Sequence, residues 1–325
     1  MQPDPATHRP SVERVPPERQ EEALGALLAS GPSAAARFAR QAASAGIRLD
    51  FMWCAAEPSG RYRLAVLAVP SVGRTAMILA TRARTSTDVP PLAAAISAAL
   101  EALRPEADLA QSLLEPERTL DIEACERGGM SRIATLDYLE RALPRTGVPA
   151  AEAGPAGWTI EPAAAEDALR AHDAAALPAS VHQELARVLE ASYIDTLDCP
   201  GLAGMRATDD VLDGHFSLGA RRRIWLVARR EGRALGTVLV NGPVEHSGAP
   251  AGDGAELVYL GLAPEARGKG VARALLSAAI RECAAARLRT LSLAVDARNG
   301  PARALYASFG FTRTSSRAAL VRRLA

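Results

Sequence analysis

The run Arg267-Gly268-Lys269-Gly270-Val271-Ala272 has the residue types and the spacing to hold an anion. Two glycines one residue apart let the backbone turn tightly and approach a ligand with no Cβ in the way. A helix that starts directly behind them has N–H groups without acceptors, aimed with the positive end of its dipole at any negative group in the turn. Arg267 and Lys269 add positive charge beside it. In chemical terms this is a cradle for a pyrophosphate. It is not a P-loop, because Gly268-Lys269 is not followed by Ser or Thr, and it is not the G-x-G-x-x-G of dinucleotide folds. Other chemistry is sparse. Cys54, Cys125, Cys199 and Cys283 stand far apart, without a C-x-x-C pair or a Cys/His cluster, so the expectation is no metal site. Cys199 has no local His to activate it, and His215 and His246 read as loop or surface residues.

The elements around the cradle follow from periodicity. AELVYLGL predicts a strand over 255–262, and the apolar spacing of Leu275, Leu276, Ala279, Ile280 and Cys283 predicts a helix over 271–287. TLSLAV predicts a strand over 290–295, and Pro301 opens a short helix that ends near Gly310, before a last strand. Strand, glycine loop, helix and strand make a right-handed βαβ unit, which sets strands 255–262 and 290–295 side by side and parallel. Upstream, IWLVARR (224–230) and ALGTVLV (234–240) joined by EGR predict a hairpin. A strand at 158–161, helical patterning over 164–189 and an irregular segment over 192–206 come before it. The fold class is therefore α/β, a mixed sheet flanked by helices.

The chain has 325 residues, 48% hydrophobic and 23% charged, with a net charge of +1. That length suggests two domains, and the charge gives no reason to expect nucleic acid or a membrane as partner. No apolar run is long enough to span a bilayer, and MQPDPATHRPSVERVPPERQ has no signal-peptide core, so a cytoplasmic protein is expected. Residues 1–19 read as a disordered tail and PRTGVPAAEAGPAG (144–157) as a linker, dividing the chain into 20–143 and 158–325. The first half repeats the element order more faintly: helical segments over 20–45, strands at 49–57, 62–69 and 75–81, a helix over 90–104, a strand at 108–114, a helix over 117–127 and a strand at 132–139.

Two strings carry a resemblance. YLGLAPEARGKGVARALL, followed by LAVDARNGPARALYASFGF, resembles the GCN5-related N-acetyltransferase (GNAT) superfamily. The first matches motif A at Arg267, Gly270 and Ala272; the second matches motif B at Asn299, Ala302, Leu305, Tyr306, Gly310 and Phe311. The resemblance implies two GNAT-like domains, each with a βαβ acyl-CoA-binding core, and acetyl-CoA as acyl donor, with direct transfer to a primary amine and no metal. It implies that strands 255–262 and 290–295 splay to admit the pantetheine arm. Leu260, Gly261 and Leu262 would pair with that arm, and Gly261 would ease its approach. Amides from Gly268 to Ala272, including Lys269, Gly270 and Val271, would hold the pyrophosphate beside Arg267.

Further roles rest on the same resemblance. Tyr306 stands where many members carry a general-acid tyrosine. Asn299 would contact the arm or a water, or simply turn the chain before Pro301. Glu256 would be the base, or water would take that role. Tyr193, Asp198 and Cys199 would meet the acceptor, with Asp198 holding a cationic amine. The acceptor would be a small-molecule or peptide amine, and the protein a monomer or homodimer. The first half lacks these features: its loop TRARTSTDVPP (81–91) has no glycine, and Cys125 aligns with Tyr306. It is expected to be degenerate, with Arg82 and Arg84 as its remaining phosphate-binding candidates. Two alternatives stay open: a non-catalytic acyl-CoA-binding sensor or scaffold, and a transferase of a longer acyl group.

Overall fold

The computed structural model describes residues 11–44, 46–57, 59–170, 177–217, 220–244 and 252–325. They divide into two compact units, Met1–Ile133 with Ala318–Ala325, and Ala134–Arg317.

The first unit contains β1 (Val12–Arg14), α1 (Gln20–Leu28), α2 (Pro32–Ser44), β2 (Met52–Ala56), β3 (Tyr62–Ser71), β4 (Thr75–Ala80), α3 (Val89–Leu103), β5 (Leu109–Leu114) and α4 (Thr119–Arg127). Strands β1 to β4 pair antiparallel and β4 pairs parallel with β5. Helix α3 buries Leu92, Ile96, Ala99 and Leu103 along one stripe, the helical repeat that its sequence carries. The expected helical segments over 20–45 are α1 and α2, parted where Ala29 takes a left-handed conformation (φ 48°) and ends α1. Part of the expected tail is ordered. Val12–Arg14 pair with Trp53–Ala55 and extend the sheet; residues 1–10 lie outside the described residues.

The second unit contains most of β6 (Ser131–Ala142), then β7 (Trp158–Pro162), α5 (Glu166–Arg170), α6 (Ala179–Tyr193), α7 (Thr208–Phe216), β8 (Ala220–Arg230), β9 (Arg233–Val244), β10 (Gly254–Leu262), α8 (Val271–Ala285), β11 (Thr290–Asp296) and α9 (Gly300–Ser308). The last strand, β12 (Thr312–Arg323), begins here. Strands β7 to β10 are antiparallel and β10 pairs parallel with β11, as the βαβ reading requires. The β8–β9 hairpin turns through Glu231 and Gly232, both at positive φ (51° and 76°), the two-residue turn that matches strand twist. Helix α7 was not expected from the sequence.

The units do not end where the sequence places its boundaries. β6 closes the first half in chain order, yet its residues Leu136–Ala142 pair antiparallel with Thr290–Asp296 of β11. Reciprocally, Ala318–Arg323 of β12 pair with Leu109–Leu114 of β5. Each unit thus gains a strand along an edge that would otherwise expose unpaired backbone groups. The 144–157 stretch is not a free linker either. Glu152 donates its N–H to Ser277 Oγ at 2.8 Å, and its carboxylate accepts two bonds from Arg273, both residues of α8.

Candidate acyl-transfer site

The parallel register of β10 and β11 runs only from Gly254↔Thr290 to Leu257↔Leu293. Beyond it, β11 stays paired with β6 through Asp296, and β10 stays paired with β9 across a bulge between Leu257 and Tyr259. Bulges bend strands, so β10 departs from β11 and leaves a gap in the pairing between them. Backbone alternation decides which groups line it. Ala263 N–H bonds Leu235 O of β9, so Gly261 also faces β9, while Leu260 and Leu262 turn their N–H and C=O groups away from it. Gly261 therefore offers no backbone group to the gap. Its missing side chain has a different cause: a Cβ there would lie 2.6 Å from Tyr259 Cε1 and 2.7 Å from Ser192 Oγ.

At the end of β10 the chain passes through Arg267 to Gly268 (φ 70°) and Gly270 (φ 79°), left-handed conformations that favour glycine. Gly270 is the N-cap of α8 and no side chain caps the helix. The N–H groups of Val271, Ala272 and Arg273 have no acceptor among the described residues, and a Cβ on Gly268 would meet only open space. Uncapped amides at the positive end of a helix dipole suit an anion. The flanking charges are placed otherwise than expected. Arg267 donates to the carbonyls of Leu262, Ser192 and Ile194 at 3.2, 3.0 and 2.7 Å, tying the end of α6 to β10 instead of facing the cradle. Lys269 is exposed and its Nζ donates to Glu265 O at 2.7 Å.

Tyr306 of α9 is buried against Phe311, ring centroids 5.7 Å apart. Its hydroxyl has no partner among the described residues. The residue as a whole is 6% exposed. Burial, and then the Asp198 carboxylate, holds this phenol well above its ordinary range. Asp198 Oδ1 accepts the N–H of Asp296 at 2.9 Å and bonds the Asn299 side chain, while Cys199 donates its N–H to Asp296 Oδ2 at 3.3 Å. Segment 192–200 is thereby clasped to the end of β11. Asp198 is a buckle of that clasp, a different job from the free acceptor-binding carboxylate expected. Asn299 Oδ1 accepts Ala302 N–H at 3.2 Å and caps α9, so the turn-forming reading applies. Cys199 is buried with its thiol pushed up to about 12 by burial and by Asp198, which keeps it protonated and non-nucleophilic.

Glu256 pairs in register with Asn241 and Ser292. It is exposed, yet surrounding protein atoms raise its carboxyl. Tyr138 of β6 lies near enough for the Glu256 charge to raise its phenol further, after burial. Tyr193 packs edge-on to Tyr259, centroids 6.4 Å apart, and the Tyr259 hydroxyl shares a hydrogen bond with Ser192. His215 lies on α7, 6.0 Å from the Tyr259 ring, and burial together with Arg206 lowers it to about 4, so it is neutral. It is neither a loop nor a surface residue; His246 lies outside the described residues. Asn241, 1% exposed, joins this layer by accepting Trp225 Nε1–H and donating to His215 O. Ser192, Tyr259 and Asn241 were missed in the sequence, because nothing local marks a polar side chain whose partner is remote in the chain.

Residues 190–311 match the model of the acetyltransferase (GNAT) family. That stretch, which lies within the second unit, is similar to the family. Among solved structures, the GCN5-related N-acetyltransferase from Sphaerobacter thermophilus is 16% identical with a TM-score of 0.55, covering 97% of this chain and 95% of its own. A tandem GNAT protein from the clavulanic acid biosynthesis pathway is 17% identical with a TM-score of 0.54, covering 97% and 99%. At these identities the likeness is one of fold, and it extends over both halves. No curated protein matches the chain.

The corresponding loop of the first unit is arranged differently. β4 and β5 also pair only briefly, from Thr75↔Leu109 to Met77↔Gln111. The loop that follows is filled from within. Asp88, 1% exposed, accepts the N–H groups of Arg84 and Thr85 at 2.8 and 3.1 Å and pairs with Arg63. Asp121 accepts Ala83 N–H at 2.7 Å. Burial alone would raise the Asp88 carboxyl, but these donors hold it below its ordinary range. Arg82 and Arg84 are exposed, and Cys125, aligned with Tyr306, is buried with its thiol pushed up to about 12 by burial. Among the described residues no group of three or more His, Cys, Asp or Glu could hold a metal, and no helix is long and apolar enough to cross a membrane.

Proposed function

We propose that the chain is an acetyl-CoA-dependent N-acetyltransferase that transfers the acetyl group directly to a primary amine, with the chemistry in the unit Ala134–Arg317. The observation that supports this most is the parting of β10 from β11 beside the uncapped N-terminus of α8. The amides of Gly268 to Arg273 suit a pyrophosphate, and the outward-turned groups of Leu260 and Leu262 suit the amides of a pantetheine arm. Acetyl-CoA, when bound, supplies a thioester carbonyl. Glu256, with its raised carboxyl, takes the proton that the attacking amine must lose, directly or through water. A cleft-facing N–H of β10 donates to the carbonyl oxygen as charge builds on it. As the amine nitrogen bonds to the carbonyl carbon and the C–S bond breaks, Tyr306 gives its proton to the departing thiolate. Its high pKa returns it promptly to the protonated form.

The acceptor in this reading is a small-molecule or peptide amine, met by Tyr193 and the rim of segment 192–200. One acetyl-CoA binds per chain, because the cradle amides of the first unit already have Asp88 and Asp121 as acceptors. Four free, buried cysteines fit a reducing compartment such as the cytoplasm. The test is thiol release from acetyl-CoA across a panel of amino acids, peptides, aminoglycosides and polyamines. One equivalent of thiol per acetylated amine is expected. Binding of acetyl-CoA with no release for any amine class would overturn the enzymatic reading and leave a sensor.

A further inference from the structure

Two arginines have guanidinium groups whose pKa is lowered by burial, Arg223 and Arg141. Arg223 is answered within the chain by the carbonyls of Phe216 and Leu169 and by the face of the Phe216 ring. Arg141, half-buried near the end of β6, has neither a hydrogen bond nor an ion pair among the described residues. It lines a hollow of about 440 Å³ whose apolar walls include Pro144, Ile280 and Phe309. The other polar groups there are Ser277 and Glu152. The Glu152 carboxylate is neutralised by the two-pronged contact with Arg273 at 2.5 and 2.7 Å. Ser277 Oγ accepts the Glu152 N–H, which leaves its hydroxyl hydrogen as a donor.

The hollow therefore presents one uncompensated, permanently charged guanidinium and one hydroxyl donor between apolar walls. An arginine cannot shed its proton to escape such a site, and partial burial without a counter-charge leaves it open to an anionic partner. A carboxylate answers it best, because two oxygens in a plane match the guanidinium fork. A larger hollow of about 740 Å³ beside β7, β8 and α8 makes no such demand. There Arg170 and Arg222 pair with Glu166, and Arg281 pairs with Glu282. Arg141 also faces Leu291 in register, at the end of β11 away from the point where β10 departs. We propose that the hollow around Arg141 is a second ligand site, for a small organic carboxylate with a flat apolar body, separate from the acyl-donor cleft.

The probe is benzoate, titrated into the full chain by calorimetry and by ligand-observed NMR. Saturable binding is expected, weaker by about tenfold or more for neutral benzyl alcohol and for Arg141→Gln, and intermediate for Arg141→Lys, which keeps a point charge but loses the fork. Phe309→Ala removes an apolar wall without touching the charge and is expected to weaken benzoate as well, so the test survives if Arg141→Gln does not fold. Saturating CoA is expected to leave benzoate affinity unchanged, a result independent of whether the chain transfers acetyl groups. No saturable binding at about 10 mM benzoate, equal affinity in Arg141→Gln, displacement by CoA, or tighter binding of phenyl phosphate than of benzoate would each overturn the proposal.

Discussion

Gly270→Asp would rebuild in the second half the plug that Asp88 forms in the first. Gly270 sits at φ 79°, and a Cβ there would meet only Pro155 Cγ, at 3.8 Å. A non-glycine residue in this conformation costs about 1–2 kcal/mol, at the low end for Asp, which visits the left-handed region more readily than most. An Asp N-cap returns about 0.5–2 kcal/mol by accepting an orphan N–H of α8. Folding stability should thus change by less than about 1 kcal/mol, a shift of a few degrees at most in the melting temperature. Binding should change far more. The new carboxylate takes one or two of the N–H groups meant for the pyrophosphate, each such charge-assisted bond contributing about 1.5–3 kcal/mol, and it repels the phosphates besides. The expected loss is at least about 3 kcal/mol, or roughly a hundredfold in the Kd for CoA. Gly270→Ala carries the backbone strain without the carboxylate and should lose about tenfold or less. Calorimetric titration with CoA, paired with thermal unfolding, reads both quantities. A folded Gly270→Asp protein that binds CoA within threefold of the wild type would refute the cradle.

Three further outcomes are expected. Tyr306→Phe should lower kcat by about 10–100-fold while leaving the Kd for CoA unchanged, since only the departing thiolate loses its proton donor; stopped-flow thiol release checks this. In the proposed mechanism Glu256 acts as its carboxylate, so kcat/KM should fall as the pH drops through its raised pKa. Glu256→Gln should abolish that acidic limb and lower the plateau, which a pH–rate profile measures. Calorimetry should count one CoA per chain, and a count of two would show that Asp88 and Asp121 yield to the ligand.

The glycine loop, the βαβ order and both motifs could be read along the chain, because they depend on residues close in sequence. The parting of β10 from β11 was expected only through resemblance; its local cause, a bulge beside Tyr259, leaves no mark in AELVYLGL. Charge was the poorest guide. Arg267 and Lys269 read as anion ligands by type, but Arg267 is drawn to three carbonyls that chain folding brings to it, two of them from a segment some seventy residues upstream. Asp88 was overlooked for the converse reason: its function depends on which amides turn toward it, and side-chain type does not encode that. Helix α7 escaped notice because a short helix with only Leu212 and Phe216 fully buried carries little periodic signal.

The reciprocal pairing of β6 with β11 and of β12 with β5 has a consequence for how the protein is made. The strand that completes the first sheet lies about two hundred residues downstream of its partner β5, among the most distant pairings the chain contains. As the polypeptide emerges from the ribosome, the N-terminal unit must wait with an open edge along β5 until β12 is released. Synthesis of β12, not of the first half, sets the moment at which that unit can close. A gene fragment cut at the apparent linker would yield two products, each missing a strand that the other half encodes.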